Sequence, residues 1–80
     1  MKHKIFADFN NTDALGRLRL TVNGSRRDIE DQKLQLIDGM PAIFYDGEGF
    51  EIEGTVEYST IENIWVGKID WNALKSIHDL

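Results

Sequence analysis

The sequence contains no cysteine, a single proline and no long apolar run among its 80 residues. Without cysteine the chain forms neither a disulfide nor a cysteine-based zinc site, so its stability must come from packing. No stretch approaches the roughly 20 apolar residues of a membrane helix. No apolar stretch of signal-peptide length follows Met1, and this absence predicts a cytoplasmic protein without a membrane partner. We expect one small domain over residues 1–80, with a modest core.

Turn-forming residues interrupt the chain at short intervals. Glycine and asparagine accept the positive φ angles of tight turns, and aspartate and serine hydrogen-bond to the local backbone. Such residues cluster at 10–13, 23–25, 38–39, 46–49 and 59–63. Between them lie short segments rich in β-branched and aromatic residues, a spacing typical of a small all-β barrel or sandwich.

Five segments are predicted to be strands, three from alternating apolar and polar residues and two from short runs that are apolar on both faces. The predicted strands cover residues 4–9, 17–22, 41–45, 50–58 and 64–69. The second strand has the clearest alternation, with Leu18, Leu20 and Val22 on the buried side. In the fourth strand Gly54 interrupts an apolar face that includes Tyr58, which predicts a bulge or a sharp bend at the glycine.

Two stretches carry helical signals. Ser25 and Asp28 have the spacing of a capping box, which predicts a short helical turn with Ser25 as its N-cap. Near the C-terminus Asp70 can cap a second short helix. The apolar side of that helix would consist of Trp71, Leu74 and Ile77. Because so short a helix is marginal alone, we expect it to form by docking on the strands.

The predicted order of elements is two strands, a short helix, three strands and a terminal helix. Five short antiparallel strands around one core favour a mostly-β, SH3-like barrel. Four short phrases are spread over most of the chain: ADFN at 7–10, GRLRL at 16–20, DGM at 38–40 and WVGKID at 65–70. These phrases resemble those of small uncharacterised bacterial proteins with SH3-like barrels. The resemblance implies the barrel fold and no particular activity.

Catalytic and metal-binding patterns are absent from the sequence. His3 and His78, the two histidines, lie near the chain ends, and no serine lies in a nucleophile-elbow motif. Residues 8–13 carry oxygen ligands spaced like the start of a calcium loop. However, Asp13 stands where that loop needs glycine, and Arg19 where it needs glutamate. We therefore expect no enzymatic activity, no metal and no cofactor.

Charge is unevenly distributed along the chain, whose formal net charge is −5. Residues 1–35 hold seven basic and five acidic side chains, whereas residues 36–80 hold two and nine. Four basic residues on or after the second strand form a predicted partner-binding surface: Arg17, Arg19, Arg26 and Arg27. Binding of single-stranded RNA or DNA by these arginines is the alternative function. The net negative charge argues against it, since nucleic-acid-binding domains are usually basic.

The third and fifth predicted strands are apolar on both faces, so one core cannot bury all their side chains. The surplus includes Phe6, Tyr45 and Trp65, and it must be covered by the terminal helix or by a partner. Aromatic residues of this kind dominate interface hot spots. We therefore predict a non-catalytic protein-interaction or assembly module of unidentified partner. The arginines would meet an acidic protein or a second copy of the chain, and the aromatic residues would supply affinity.

Overall fold

The alternating segments form the strands of one sheet, and the computed structural model describes residues 2–73. The elements are β1 (His3–Phe6), β2 (Leu18–Arg19), α1 (Asn23–Asp31), β3 (Pro41–Tyr45), β4 (Glu51–Ser59) and β5 (Ile64–Ile69). The strands lie in the order β1-β3-β4-β5-β2. Within residues 2–73 no helix is long and apolar enough to cross a membrane.

The sheet is mixed, which corrects the prediction of a wholly antiparallel barrel. β1 pairs with β3 in parallel, whereas the β2–β5, β3–β4 and β4–β5 pairs are antiparallel. The parallel pair arises because the chain passes through β2 and α1 before it returns as β3, a crossover rather than a hairpin. β1 and β2 are opposite edges of the sheet, so the described strands do not close into a barrel. The mostly-β prediction is confirmed, and the SH3-like resemblance stays a prediction.

One face of the sheet carries the hydrophobic core. Alternate residues of β1 to β4 contribute buried side chains to it, as strand geometry requires, and β5 adds the half-buried Trp65 and Ile69. Its buried members are Ile5, Ala7, Leu18, Leu20, Ala42, Phe44, Ile52 and Val56. At the centre, the ring of Phe44 lies over Gly67 of β5, where an added Cβ would come within 2.7 Å of the ring.

Gly54 does not form the predicted bulge. It stays in register with Ala42 of β3 and Ile69 of β5. A Cβ at this position would collide with the backbone carbonyl of Lys68 and approach the ring of Phe44 to 3.1 Å. The glycine therefore serves a close approach of neighbouring groups rather than an irregular backbone.

The opposite face of the sheet is covered in part by ion pairs. Lys2 lies 2.7 Å from Glu53, and Lys4 lies 2.8 Å from Glu51. Because β3 lies between β1 and β4, each pair crosses β3 on the face that carries the half-buried Ile43.

Helix α1 lies along the free edge of β1 and satisfies its outward backbone groups. The Ser25 hydroxyl donates to the Phe6 carbonyl, and the Phe6 N–H donates to the Asp28 carboxylate at 2.9 Å. The Gln32 amide donates to the Lys4 carbonyl at 2.8 Å. An unprotected edge is a template for pairing with other strands. The side chains of Ser25, Asp28 and the C-cap residue Gln32 therefore bond to backbone groups with which a sixth strand would otherwise pair.

These contacts correct the predicted capping box. The helix begins at Asn23, and the residue at its N-cap position is Val22, which makes no side-chain hydrogen bond. Ser25 lies inside the first turn and is fully buried, because its hydroxyl serves the neighbouring strand. Gly24 allows this close approach, since a Cβ there would collide with the ring of Phe6.

The second helical segment begins at Trp71, as predicted. The Asp70 carboxylate accepts the N–H two residues on, and its carbonyl accepts the N–H three residues on, both at 3.0 Å. The Trp71 indole N–H donates to the carbonyl of Gly16 at 2.7 Å. The start of this segment is thereby tied to the turn before β2, while Leu74 and Ile77 lie outside the described residues.

Candidate functional site

A groove of about 530 Å³ lies between α1 and one end of the sheet. Three parts of the chain form its walls: the helix, the segment that follows the helix, and β5 with the residues after β2. Its apolar lining consists of Leu20, Ile29, Leu34, Leu36, Ile64 and Trp65. Binding sites are usually concave and mostly apolar with a few polar groups, so this groove is the best candidate in residues 2–73.

The end of α1 builds one wall of the groove. Lys33 has a φ of 53°, and its N–H donates to the Glu30 carbonyl at 3.0 Å. The N–H of Leu34 donates to the Ile29 carbonyl at 3.0 Å. These are the two hydrogen bonds of a Schellman motif, which brings together the apolar residues on either side of a helix end. The motif therefore sets Ile29 and Leu34 side by side in the groove.

Trp65 forms the opposite wall, on β5. It lies across from Tyr58 in the β4–β5 register, and the two rings meet edge to face with centroids 5.0 Å apart. Its carbonyl accepts the N–H of Leu20 at 3.1 Å. The backbone N–H of Tyr58 donates to the Asp38 carboxylate at 2.8 Å. These contacts hold a large aromatic surface in place at the groove.

Arg26 and Glu30 are the charged residues of the groove, one helical turn apart. Among the ion pairs within residues 2–73, none involves Arg26. Arg27, the next helix residue, is exposed and does not line the groove. The groove therefore has one guanidinium that is free to pair with an incoming carboxylate.

Arg17 and Arg19 are instead engaged on the outer face of β2. The Arg17 guanidinium lies 2.9 Å from Asp13 and 3.2 Å from Glu57. Arg19 makes two hydrogen bonds to Glu62, at 2.8 and 2.9 Å. An arginine that already holds a carboxylate must release it before it binds another anion. Two of the four arginines of the predicted surface are therefore neutralised by the chain's own acids.

The carboxylates of this network have shifted pKa values. Burial raises the pKa of Asp13, but the hydrogen bonds that it accepts from Arg17 and from the Leu15 N–H outweigh burial. The pKa of Asp13 therefore lies below its ordinary value of 3.8. The hydrogen bond from Arg19 likewise holds the pKa of Glu62 below its ordinary value. Both groups stay charged at neutral pH, so the network persists there.

Phe6 and Tyr45 make contacts that tie β1 and β3 to α1. Their rings meet edge to face at 5.7 Å, and the Tyr45 hydroxyl donates to the Asp28 carboxylate at 2.6 Å. That hydrogen bond, with burial, raises the pKa of Tyr45. Of the seven residues predicted to bind a partner, only Arg26 and Trp65 line the groove.

The remaining groove residues were not predicted from the sequence. Ile29, Leu34 and Leu36 follow neither the strand alternation nor a helical stripe. Their signal is weaker: apolar residues on both sides of a charged helix end, which a Schellman motif brings together. Among the described residues no cluster of His, Asp and Glu is arranged to hold a metal ion.

The groove is therefore a preformed apolar surface that contains the unpaired guanidinium of Arg26. Arg17 and Arg19, on the sheet, are already paired with acids. The lining of the groove supplies shape, an aromatic wall and a site for a carboxylate. Comparison of the chain with protein-family models, with curated proteins and with solved structures found no match.

Proposed function

We propose that the chain is a non-catalytic protein-interaction module whose groove beside α1 binds an apolar, carboxylate-bearing segment of a partner protein. One observation carries the proposal: Trp65 and the free guanidinium of Arg26 line the same groove. Tryptophan and arginine are the residues that most often dominate the energy of protein interfaces. The apolar lining supplies area, and the arginine selects the charge of the segment.

The charges of the groove also limit the chemistry of the partner. Arg26 favours a carboxylate at its end of the groove, whereas Glu30 opposes one a helical turn further on. A run of consecutive acids would meet Glu30 as well as Arg26. The proposed ligand is therefore an amphipathic segment with a carboxylate at one end, and not a polyacidic tail.

The alternative function, binding of single-stranded nucleic acid, has less support. Such proteins combine a positive groove with aromatic platforms for base stacking. Trp65 offers a platform, but Glu30 lines the same groove, and the chain carries a net charge of −5. Two of the four arginines on which this alternative rests already hold carboxylates.

Synthetic amphipathic peptides test the proposed function. The peptides share one apolar stripe and differ at a single flanking position, which is Glu, Gln or Lys. In the Trp71→Phe variant Trp65 is the only tryptophan, so its fluorescence reports occupation of the groove. We expect the Glu peptide to bind about tenfold more tightly than the Lys peptide at low salt, a difference of about 1.4 kcal/mol. The preference shrinks as salt screens the pair.

Arg26→Glu and Arg27→Glu form a matched pair of variants, because only Arg26 lines the groove. Arg26→Glu reverses the preference in favour of the Lys peptide, whereas Arg27→Glu changes affinities by less than about twofold. Equal effects of both variants, or no fluorescence response to any peptide at about 1 mM, contradict the proposal. Tighter binding of a thymidine oligonucleotide than of the Glu peptide favours the alternative function instead.

A further inference from the structure

A second surface of the molecule presents three exposed, large apolar side chains. Leu15 is 70% exposed, Ile61 81% and Trp71 38%. Leu15 and Ile61 line one shallow hollow, and Leu15 and Trp71 line another. Leu15 therefore joins the other two residues into one surface, which we call the Leu15 surface. None of the three residues lines the groove beside α1.

The turn that carries Leu15 is held by several hydrogen bonds. The buried carboxylate of Asp13 accepts the N–H of Leu15 at 3.0 Å and that of Arg17 at 2.8 Å. The carbonyl of Gly16 accepts the indole N–H of Trp71 at 2.7 Å. A side chain presented on a fixed turn loses little conformational freedom when a partner covers it. The backbone that carries Leu15 is therefore already in a fixed position before a partner binds.

The turn that carries Ile61 is fixed in a similar way. The N–H of Glu62 donates to the hydroxyl of Ser59 at 3.2 Å. The Glu62 carboxylate is bound by Arg19 of β2, so the turn between β4 and β5 is tied to the neighbouring strand. Leu15 and Ile61 therefore both lie on turns that hydrogen bonds and ion pairs hold in place.

The charged side chains that line the Leu15 surface and their ion-pair partners balance one another, although the chain carries a net charge of −5. Its hollows and the ion pairs behind them contain three acids and three bases: Asp13, Glu57, Glu62, Arg17, Arg19 and Lys68. All of these except Lys68 belong to ion pairs. A neutral surface of this kind meets an identical surface without like-charge repulsion, whereas a strongly charged partner gains nothing from it.

We propose that the Leu15 surface is a self-association interface. Two copies of the chain meet across a two-fold axis, and each places Leu15 and Ile61 against the apolar side chains of the other. A two-fold contact uses the same patch on both subunits, which a patch of balanced charge permits. The inference is independent of the proposed function, because the groove and the Leu15 surface share none of these residues.

Sedimentation of the full-length chain over a range of concentrations tests the inference. Leu15→Asp combined with Ile61→Asp raises the dimer dissociation constant at least about 30-fold, because each dimer then faces buried like charges. Ile37→Asp is the control: Ile37 is also exposed, at 64%, and lines neither hollow. We expect this control to change the dissociation constant less than about threefold. Circular dichroism confirms that the variants stay folded.

Added salt should change dimerisation and peptide binding in opposite directions, which distinguishes the Leu15 surface from the groove. Copies that each carry −5 repel one another at low salt, so added salt strengthens a dimer with a neutral interface. The same salt weakens binding of the Glu peptide in the groove. In the Trp65→Phe variant Trp71 is the only tryptophan, and its fluorescence follows association.

Three results overturn the self-association proposal. They are a monomer at all concentrations up to about 1 mM, equal weakening of the dimer by Ile37→Asp, and a dimer that Leu15→Asp with Ile61→Asp leaves unchanged. A failure of this proposal differs from a failure of the proposed function, because Arg26→Glu acts on peptide binding and leaves the dimer dissociation constant unaltered.

Discussion

Phe44 lies at the centre of the core because two residues on neighbouring strands have no side chain. Gly67 lies directly under its ring, and Gly54 lies near the ring edge. Neither glycine is used for a turn or a positive φ angle, since both lie inside strands in regular register. At the scale of single residues, the absence of a Cβ is here a packing requirement.

Gly67→Ala should therefore destabilise the protein by overpacking. The new Cβ would lie 2.7 Å from the ring of Phe44, and such insertions typically cost about 1–3 kcal/mol. Urea unfolding measures this as a lower midpoint with an unchanged slope. The double variant Gly67→Ala with Phe44→Leu should lose at least about 1 kcal/mol less than the two single losses combined. Strictly additive losses would show that the ring and the methyl group do not meet.

Helix α1 is the element whose role differs most from its local sequence signal. Ser25 and Asp28 have the spacing of a capping box, but their side chains bond to β1 instead. The two roles use the same residue types, because capping and edge protection both need short polar side chains that reach backbone groups. Only the tertiary position of the helix distinguishes them.

Asp28→Ala should open the edge of β1. The carboxylate accepts both the Phe6 N–H and the Tyr45 hydroxyl, so its loss should lower the free energy of unfolding by about 2 kcal/mol. Hydrogen exchange at the Phe6 amide should accelerate in parallel. Tyr45→Phe is an informative comparison, because it removes one of the two bonds and leaves the Phe6 amide protected. Unchanged exchange in Asp28→Ala would contradict the role given to the helix.

The strands could be predicted more closely than their arrangement. β3 and β5 have the predicted bounds, and β4 is displaced by one residue at each end. β2 is limited to Leu18–Arg19, because only Gly67 and Val66 of β5 pair with it. The parallel β1–β3 pair was not predictable, since alternation reports which face is buried and not the direction of the neighbouring strand.

At the scale of the whole molecule, the charge difference between the two halves of the sequence is largely neutralised internally. Of the five ion pairs within residues 2–73, four join a base from the first 35 residues to an acid further along the chain: Lys2–Glu53, Lys4–Glu51, Arg17–Glu57 and Arg19–Glu62. The candidate site was hard to predict for this reason. Charges that look available in the sequence are paired in the fold, and the free Arg26 is recognised only by elimination.

The stability of the whole molecule should fall in acid through these pairs. Because the pKa of Asp13 is lowered by folding, its ionised form stabilises the native state above its ordinary pKa of 3.8. That contribution is lost as the pH falls through the lower folded pKa. Asp13→Asn should cost about 2 kcal/mol at pH 7, and the difference from the unaltered chain should shrink below about pH 4.

Urea unfolding at a series of pH values from about 7 down to about 2 measures this difference. Glu48→Gln serves as the control, because Glu48 is exposed and its carboxylate makes no ion pair within residues 2–73. We expect this variant to follow the unaltered chain. A loss in Asp13→Asn that stays constant down to pH 2 would mean that the asparagine fails for steric rather than electrostatic reasons.

The protection of β1 by α1 has a consequence for synthesis on the ribosome. Within residues 2–73 β1 is made before the other strands, and its sheet partner β3 begins only at Pro41. Helix α1 ends at Asp31, so the side chains that bond to the outer edge of β1 emerge before β3 does. Nascent chains on neighbouring ribosomes meet at high local concentration, where open strand edges cross-pair. In this protein the side chains that bond to that edge are synthesised before β3, the strand that pairs with the other edge of β1.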